Sequence, residues 1–242
     1  MKKYSEFMQN VNISKDAQAR VLQKALSANT KPVRTPARRF IPSVAAAVLV
    51  IGIGAFAAGN LVTNWYASSS SNPDYTSLPT QEQCVKDVGF EPILISEFSN
   101  GYKFADGSVV KNELGGEDGS TVEKFKSLDF RYKKGGDTLY FTQEKYSADA
   151  EQAGEIAASK DGTDYYFYSY KNKVVPPDYK LTDEDKAAEE NGELVFSYGS
   201  DEVRISTVST VRWQKGDMHF SLMQIDGKLT KDEMLDTAFE AE

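Results

Sequence analysis

The stretch LDFRYKKGGDTLYFTQEKY, Leu128 to Tyr146, decides how this chain folds. On either side of Gly135-Gly136 apolar and polar side chains alternate, which is the period of a strand with one buried face. With the two glycines as a two-residue loop, Tyr132 faces Leu139 and Phe130 faces Phe141. A slip of one residue would turn all four side chains toward the polar side, so the register is self-consistent only as an antiparallel hairpin.

The same alternation recurs outward from this hairpin, in short runs separated by Gly-containing turns: Ile93 to Phe98, Tyr102 to Val110, Asp164 to Val175, Glu193 to Tyr198, Val208 to Gln214 and Met218 to Ile225. The 13 Tyr and 13 Phe suit such half-buried pleated surfaces. A second loop at Lys215-Gly216 puts Trp213 opposite Met218 and Val211 opposite Phe220, with Arg212 opposite His219 on the other face. Thr230 and Glu233 form a T-x-x-E capping box that opens a C-terminal helix carrying Leu235, Ala238 and Phe239 on one side. Thr182 with Asp185 opens a short acidic helix in the same way.

Upstream the pattern changes. From Phe40 to Pro73 there is no charged residue, and Ile41 to Gly59 reads IPSVAAAVLVIGIGAFAAG. A bilayer core needs roughly 20 helical residues, and the large apolar side chains here favour insertion by about 2 to 5 kcal/mol. Trp65 and Tyr66 are expected as interfacial anchors. Lys31, Arg34, Arg38 and Arg39 precede the segment, which places the N-terminus in the cytoplasm. Ala55-Phe56-Ala57 has the form a signal peptidase accepts, but the basic lead of 39 residues is long for a signal peptide and favours an uncleaved anchor. The expected fold class is α+β: a single transmembrane helix plus an antiparallel β-rich extracytoplasmic domain with a C-terminal helix. The expected divisions are a cytoplasmic basic helical segment over 1–39, the span over 40–66, a flexible Ser/Asn/Pro-rich linker over 67–80 and the outer domain over 81–242.

Charge follows the same layout. Residues 1–39 carry nine Lys/Arg against Glu6 and Asp16, a net of plus 7, and the remainder is minus 15. So acidic an outer portion excludes direct nucleic-acid binding, which needs concentrated positive surface. Before the span, Tyr4, Phe7, Met8 and Val11 recur at helical spacing, and Ala17, Val21, Leu22, Ala25 and Leu26 do so again. Val21, Leu22 and Leu26 are the candidate contact with a cytosolic partner. Gly54-x-x-x-Ala58 and Ala55-x-x-x-Gly59 permit a homodimer through the span.

Chemistry is sparse. Cys84 is the single cysteine, which excludes an intrachain disulfide and a Cys-based metal cluster, and it is expected as a buried apolar residue. His219 is the single histidine and is expected at a surface or rim position of its strand. Asp226 to Glu233 imitates half of a calcium loop, but Leu222 and Gln224 stand where two carboxylates are needed. Acidic runs at Glu117-Asp118 and at Asp183-Glu184-Asp185 with Glu189-Glu190 are expected as solvated faces. No cofactor, metal or catalytic set stands out, and the chain is expected not to be an enzyme. The most unusual run is Tyr165 to Tyr170, whose alternation puts Tyr166, Tyr168 and Tyr170 on one face as a candidate ligand surface.

The layout, with Val211-Arg212-Trp213, Gly216, His219-Phe220-Ser221-Leu222 and Leu229 to Leu235 near its end, resembles membrane-anchored proteins of spore-forming Gram-positive bacteria that carry an uncharacterised β-rich outer domain. Val88 to Pro92 and Asn100 to Phe104 resemble the opening of that domain, while Phe220 stands in place of a Tyr. Many such proteins look like anti-sigma factors. The resemblance implies an envelope sensor whose cytoplasmic part holds a sigma factor, although the zinc-binding His and Cys of the common anti-sigma fold are absent from residues 1–39. The alternative is a surface-anchored extracytoplasmic ligand-binding module with no signalling role.

Overall fold

The computed structural model describes residues 64–70, 72–115, 121–146, 154–176, 178–191, 193–198 and 200–241. Nine strands form one sheet: β1 (Asn64–Ser68), β2 (Lys103–Gly115), β3 (Thr121–Lys134), β4 (Asp137–Lys145), β5 (Glu155–Lys160), β6 (Thr163–Val175), β7 (Leu194–Tyr198), β8 (Arg204–Lys215) and β9 (Met218–Ile225). The order across the sheet is β1-β2-β3-β4-β9-β8-β6-β5, with β7 also on β6. Among the described residues three helices accompany it: α1 (Gln81–Val88), α2 (Asp183–Glu190) and α3 (Lys231–Phe239). The β-rich, mainly antiparallel architecture with a C-terminal helix agrees with the sequence.

The deciding hairpin folds as its glycines dictate. Lys134 pairs with Asp137, Tyr132 with Leu139 and Phe130 with Phe141. The second hairpin differs. Its loop is Gly216-Asp217, so Trp213 lies opposite Phe220, Arg212 opposite Ser221 and His219 opposite Gln214. The reason is local: Gly216 has φ +63, and hairpin turns of type II′ require the glycine at the first loop position. Each strand shifts by one residue, which preserves the faces and changes the partners.

The apolar face gathers the rings. Trp213 stacks on Phe141 at 6.0 Å, on Phe220 at 5.4 Å and on Tyr165 at 5.6 Å between centroids. Helix α3 lays Met234, Leu235 and Ala238 into this core, and Phe239 meets Tyr165 edge-on at 4.9 Å. Cys84, on α1, is also buried there, as expected. Two glutamines sit in the core because their amides act as backbone. Gln143 Nε2 donates to Ile93 O (2.9 Å) while Ile93 N donates to Gln143 Oε1 (2.7 Å). Gln224 does the same with Leu229, at 2.6 and 3.1 Å. Ile93 to Phe98, expected as a strand, is therefore an irregular extended segment held by a side chain, with one bridge from Glu97 to Lys103.

Three further expectations change. Helix α1 starts where only an onset of folding was anticipated, through a capping box of Thr80 and Gln83. The sheet is mixed, because β7 runs parallel to β6. Residues 64–66, assigned to the end of the membrane helix, belong to β1, which pairs antiparallel with β2 from Asn64↔Gly115 to Ser68↔Lys111. The linker assigned to 67–80 is likewise tied down. Tyr75 and Gly107 exchange backbone hydrogen bonds at 2.9 Å, Tyr75 Oη donates to Asp87 at 2.6 Å, and Asp74 accepts from Val109 N at 2.8 Å. A Ser/Pro-rich run lacks periodicity, but one buried tyrosine is enough to dock it. Among the described residues no helix is long and apolar enough to cross a membrane. The expected span over 40–63 and the segment 1–39 lie outside the described residues.

Candidate functional site: the polar face of the sheet

The helices put their buried side chains on the apolar face, yet the opposite face is far from fully wet. Ser127, Asn112, Thr210 and His219 on that side are each 6% exposed or less. His219, expected at the rim, is buried because its ring stacks on Tyr146 at 4.0 Å.

Registry assembles the ionisable groups of this face. Asp129 on β3 lies opposite Thr142 on β4, and Ser127 lies opposite Glu144. Asp129 and Glu144 are thus diagonal neighbours, two residues apart along one ladder. Glu144 lies directly opposite His219 on β9. Arg212 on β8 lies opposite Ser221 and, on its other side, opposite Tyr166 on β6. Two carboxylates, one imidazole and one guanidinium therefore share four adjacent strands.

The electrostatics follow from burial. Asp129 is pushed up to about 6 by desolvation, opposed by a hydrogen bond with Thr142, and its Oδ1 is buried without a hydrogen-bond partner among the described residues. Glu144 is pushed up to about 8, first by burial and then by Asp129, with Arg212 opposing. Burial holds the His219 ring below its usual value, which favours its neutral form, and among the described residues Nδ1 finds no hydrogen-bond partner. Tyr146 and Tyr170 are pushed up by the same desolvation. Such a cluster can hold and release a proton near neutrality.

The tyrosine row is on this face as well. Tyr165 and Phe167 pack into the core, while Tyr166, Tyr168 and Tyr170 are half-buried on the polar side. Tyr168 and Tyr170 stack at 5.2 Å. Tyr166 lines an open cavity of about 260 Å³ with Gly162, Thr163, Asp164, Gln214 and Gly216. A second hollow of about 380 Å³ is lined by Phe90, Lys126, Tyr146 and Asp217, the residue next to Gly216 in the β8–β9 turn.

Among the described residues, the acidic run at Asp183-Glu184-Asp185 is engaged elsewhere. Asp185 is held at about 2, chiefly by Lys173 at 2.6 Å, and it also accepts from Tyr179 at 2.8 Å, a triad that docks α2 on β6. Asp183 pairs with Lys186 on the same helix. Glu117, Asp118, Val21, Leu22, Leu26 and the small residues of the span lie outside the described residues. Among the described residues no group of three or more His, Cys, Asp or Glu is placed to hold a metal ion. The Asp129–Glu144 pair was missed from sequence although the hairpin register already placed both on one face. What alternation does not reveal is that this face is partly shielded from water.

Comparison of the chain with protein-family models, with curated proteins and with solved structures finds no match.

Proposed function

We propose that this protein is a non-enzymatic, single-pass membrane protein that senses and regulates the cell envelope, with the architecture of an anti-sigma factor. The β-rich domain is its outer, sensing part. Residues 1–39 are its inner part, which holds a cytosolic protein such as a sigma factor through Val21, Leu22 and Leu26. The charge-free segment from residue 40 to 63 still supplies the roughly 20 residues that a span needs, and the basic side before it faces the cytoplasm.

The observation that carries this reading is continuity. Strand β1 begins at Asn64, directly after that segment, and is hydrogen-bonded into the sheet through β2. A rearrangement of the sheet thus reaches the end of the apolar segment without crossing a slack tether. The test is affinity purification of the full chain from membranes. A sigma factor is expected to co-purify and to be lost from Leu22→Asp and Leu26→Asp. Recovery of no specific cytosolic protein would overturn the proposal.

A surface-anchored binding module is supported by a different observation, the stacked Tyr168 and Tyr170 rings beside the cavity at Tyr166. Aromatic faces with polar neighbours such as Asp164 and Gln214 suit a wall glycan. Under this reading Tyr166→Ala weakens binding of the full chain to purified wall glycan at least tenfold. Unchanged binding removes it.

A further inference from the structure

We infer that the stimulus read by the outer domain is the proton, and that Asp129 and Glu144 form a one-proton switch built across the β3–β4 ladder. The consequence inside the cell rests on the sensor reading above, but the switch itself is a property of the sheet.

Geometry makes the pair. Diagonal neighbours on one face of an antiparallel ladder lie about 7–8 Å apart at their Cα atoms, within reach for side chains as long as Glu. The two-glycine turn fixes the register, so the two residues remain diagonal neighbours while the hairpin holds.

The surroundings leave the pair one charge short of compensation. From β8 comes Arg212, and from β9 comes His219, whose neutral form burial favours. Strand β6 contributes Tyr170, and Tyr146 follows directly after β4. On the β2 side Ser108 lies opposite Asp129, and Asp106 is committed to Arg131 in a two-pronged pair at 2.5 and 2.7 Å. Asp217, in the β8–β9 turn, is committed to Lys145 at 2.6 Å. Glu123, farther along β3, adds a negative charge that acts on Tyr146 and His219. Two half-buried carboxylates therefore share this face with Arg212 and with an Arg131 already held by Asp106.

Such a pair holds one proton and releases it as a unit. Asp129 and Glu144 are pushed to about 6 and about 8, so the pair holds one proton between those values and has released it above them. Within that range Asp129 Oδ1, which has no hydrogen-bond partner among the described residues, can share the proton. Above it, two anions repel across the ladder, and the polar face relieves them by admitting water. The strands affected are β3, β4 and β9, which carry Phe130, Phe141 and Leu222 on their other side.

The experiment is hydrogen exchange, read by mass spectrometry on the full chain in lipid nanodiscs and corrected for the intrinsic pH dependence. Protection in the peptides covering 128–146 and 218–225 is expected to fall tenfold or more between pH 6 and pH 9. Glu144→Gln is expected to stay within twofold, and Arg212→Met is expected to move the midpoint to higher pH, because Arg212 favours the ionised form. Equal pH profiles for the parent and a folded Glu144→Gln overturn the proposal. Should that variant not fold, an unmoved midpoint in Arg212→Met overturns it equally. A pH-indifferent sheet in a chain that retains its sigma factor refutes the switch and leaves the sensor. A pH-operated sheet in a chain with no such partner supports the switch and refutes the sensor.

Discussion

Trp213 is surrounded by Phe141, Phe220 and Tyr165, with its ring 8° from parallel to that of Phe141. Truncation there removes a full ring and leaves a hole between three others. Trp213→Ala is expected to lower stability by about 3–5 kcal/mol, measured by urea unfolding. Gly107 makes the opposite demand. A Cβ at that position would lie 2.6 Å from Phe130 Cδ1 and 3.4 Å from Tyr75 Cδ2. Gly107→Ala is therefore expected to cost about 1–3 kcal/mol by overpacking and to loosen the segment that Tyr75 docks. At this scale the sequence was legible for Phe130, Tyr132, Leu139 and Phe141, because a strand period assigns each to a face. It was not legible for Gln143 and Gln224, polar residues that enter the core because loop backbone comes to meet them.

Elements are set by their ends. Gly135 and Gly216 take φ +60 and +63 at the first loop positions of their hairpins, and Asp161-Gly162 takes φ +49 and +82 at the β5–β6 turn. A side chain in such a conformation costs about 1–2 kcal/mol, so Gly216→Ala is expected to destabilise by that amount without altering the fold, as read by the thermal midpoint and far-UV circular dichroism. The capping boxes at Thr182 and Thr230 were readable as motifs, and Thr80 with Gln83 carries the same signature, so α1 was readable too. Strand β5, with the weakly strand-forming EIAASK, and the parallel placement of β7 were not. Both are stabilised by lying along β6, and a contact of that kind leaves no period in the partner's own sequence.

For the whole molecule the desolvated ionisable groups give stability a pH dependence with opposing limbs. Asp129 and Glu144 are raised, so the folded state binds their protons more tightly than the unfolded chain does. Their contribution is full below the ordinary carboxylate range near 4 and is lost as pH rises through about 6 and about 8. His219 is lowered, so its contribution is full above its unfolded value near 6.5 and is lost as pH falls. Asp185, held at about 2, adds stability that is present above about 4 and disappears in stronger acid. Thermal midpoints of the full chain are expected to be highest at about pH 4 to 5 and to fall toward alkaline pH, because above the ordinary carboxylate range the two raised carboxyls lose more than His219 gains, and Glu144→Gln is expected to flatten that alkaline limb. The local pattern of the sequence was sufficient for the strands around Leu128 to Tyr146, the two-glycine register and the terminal helix, because period, turn and cap are local properties of the chain. The second hairpin's partners, the docking of residues 64–75 and the desolvation of Asp129, Glu144 and His219 were decided only by the tertiary structure. Burial of a polar face depends on what neighbouring strands bring to it, and no single strand encodes that in its own alternation.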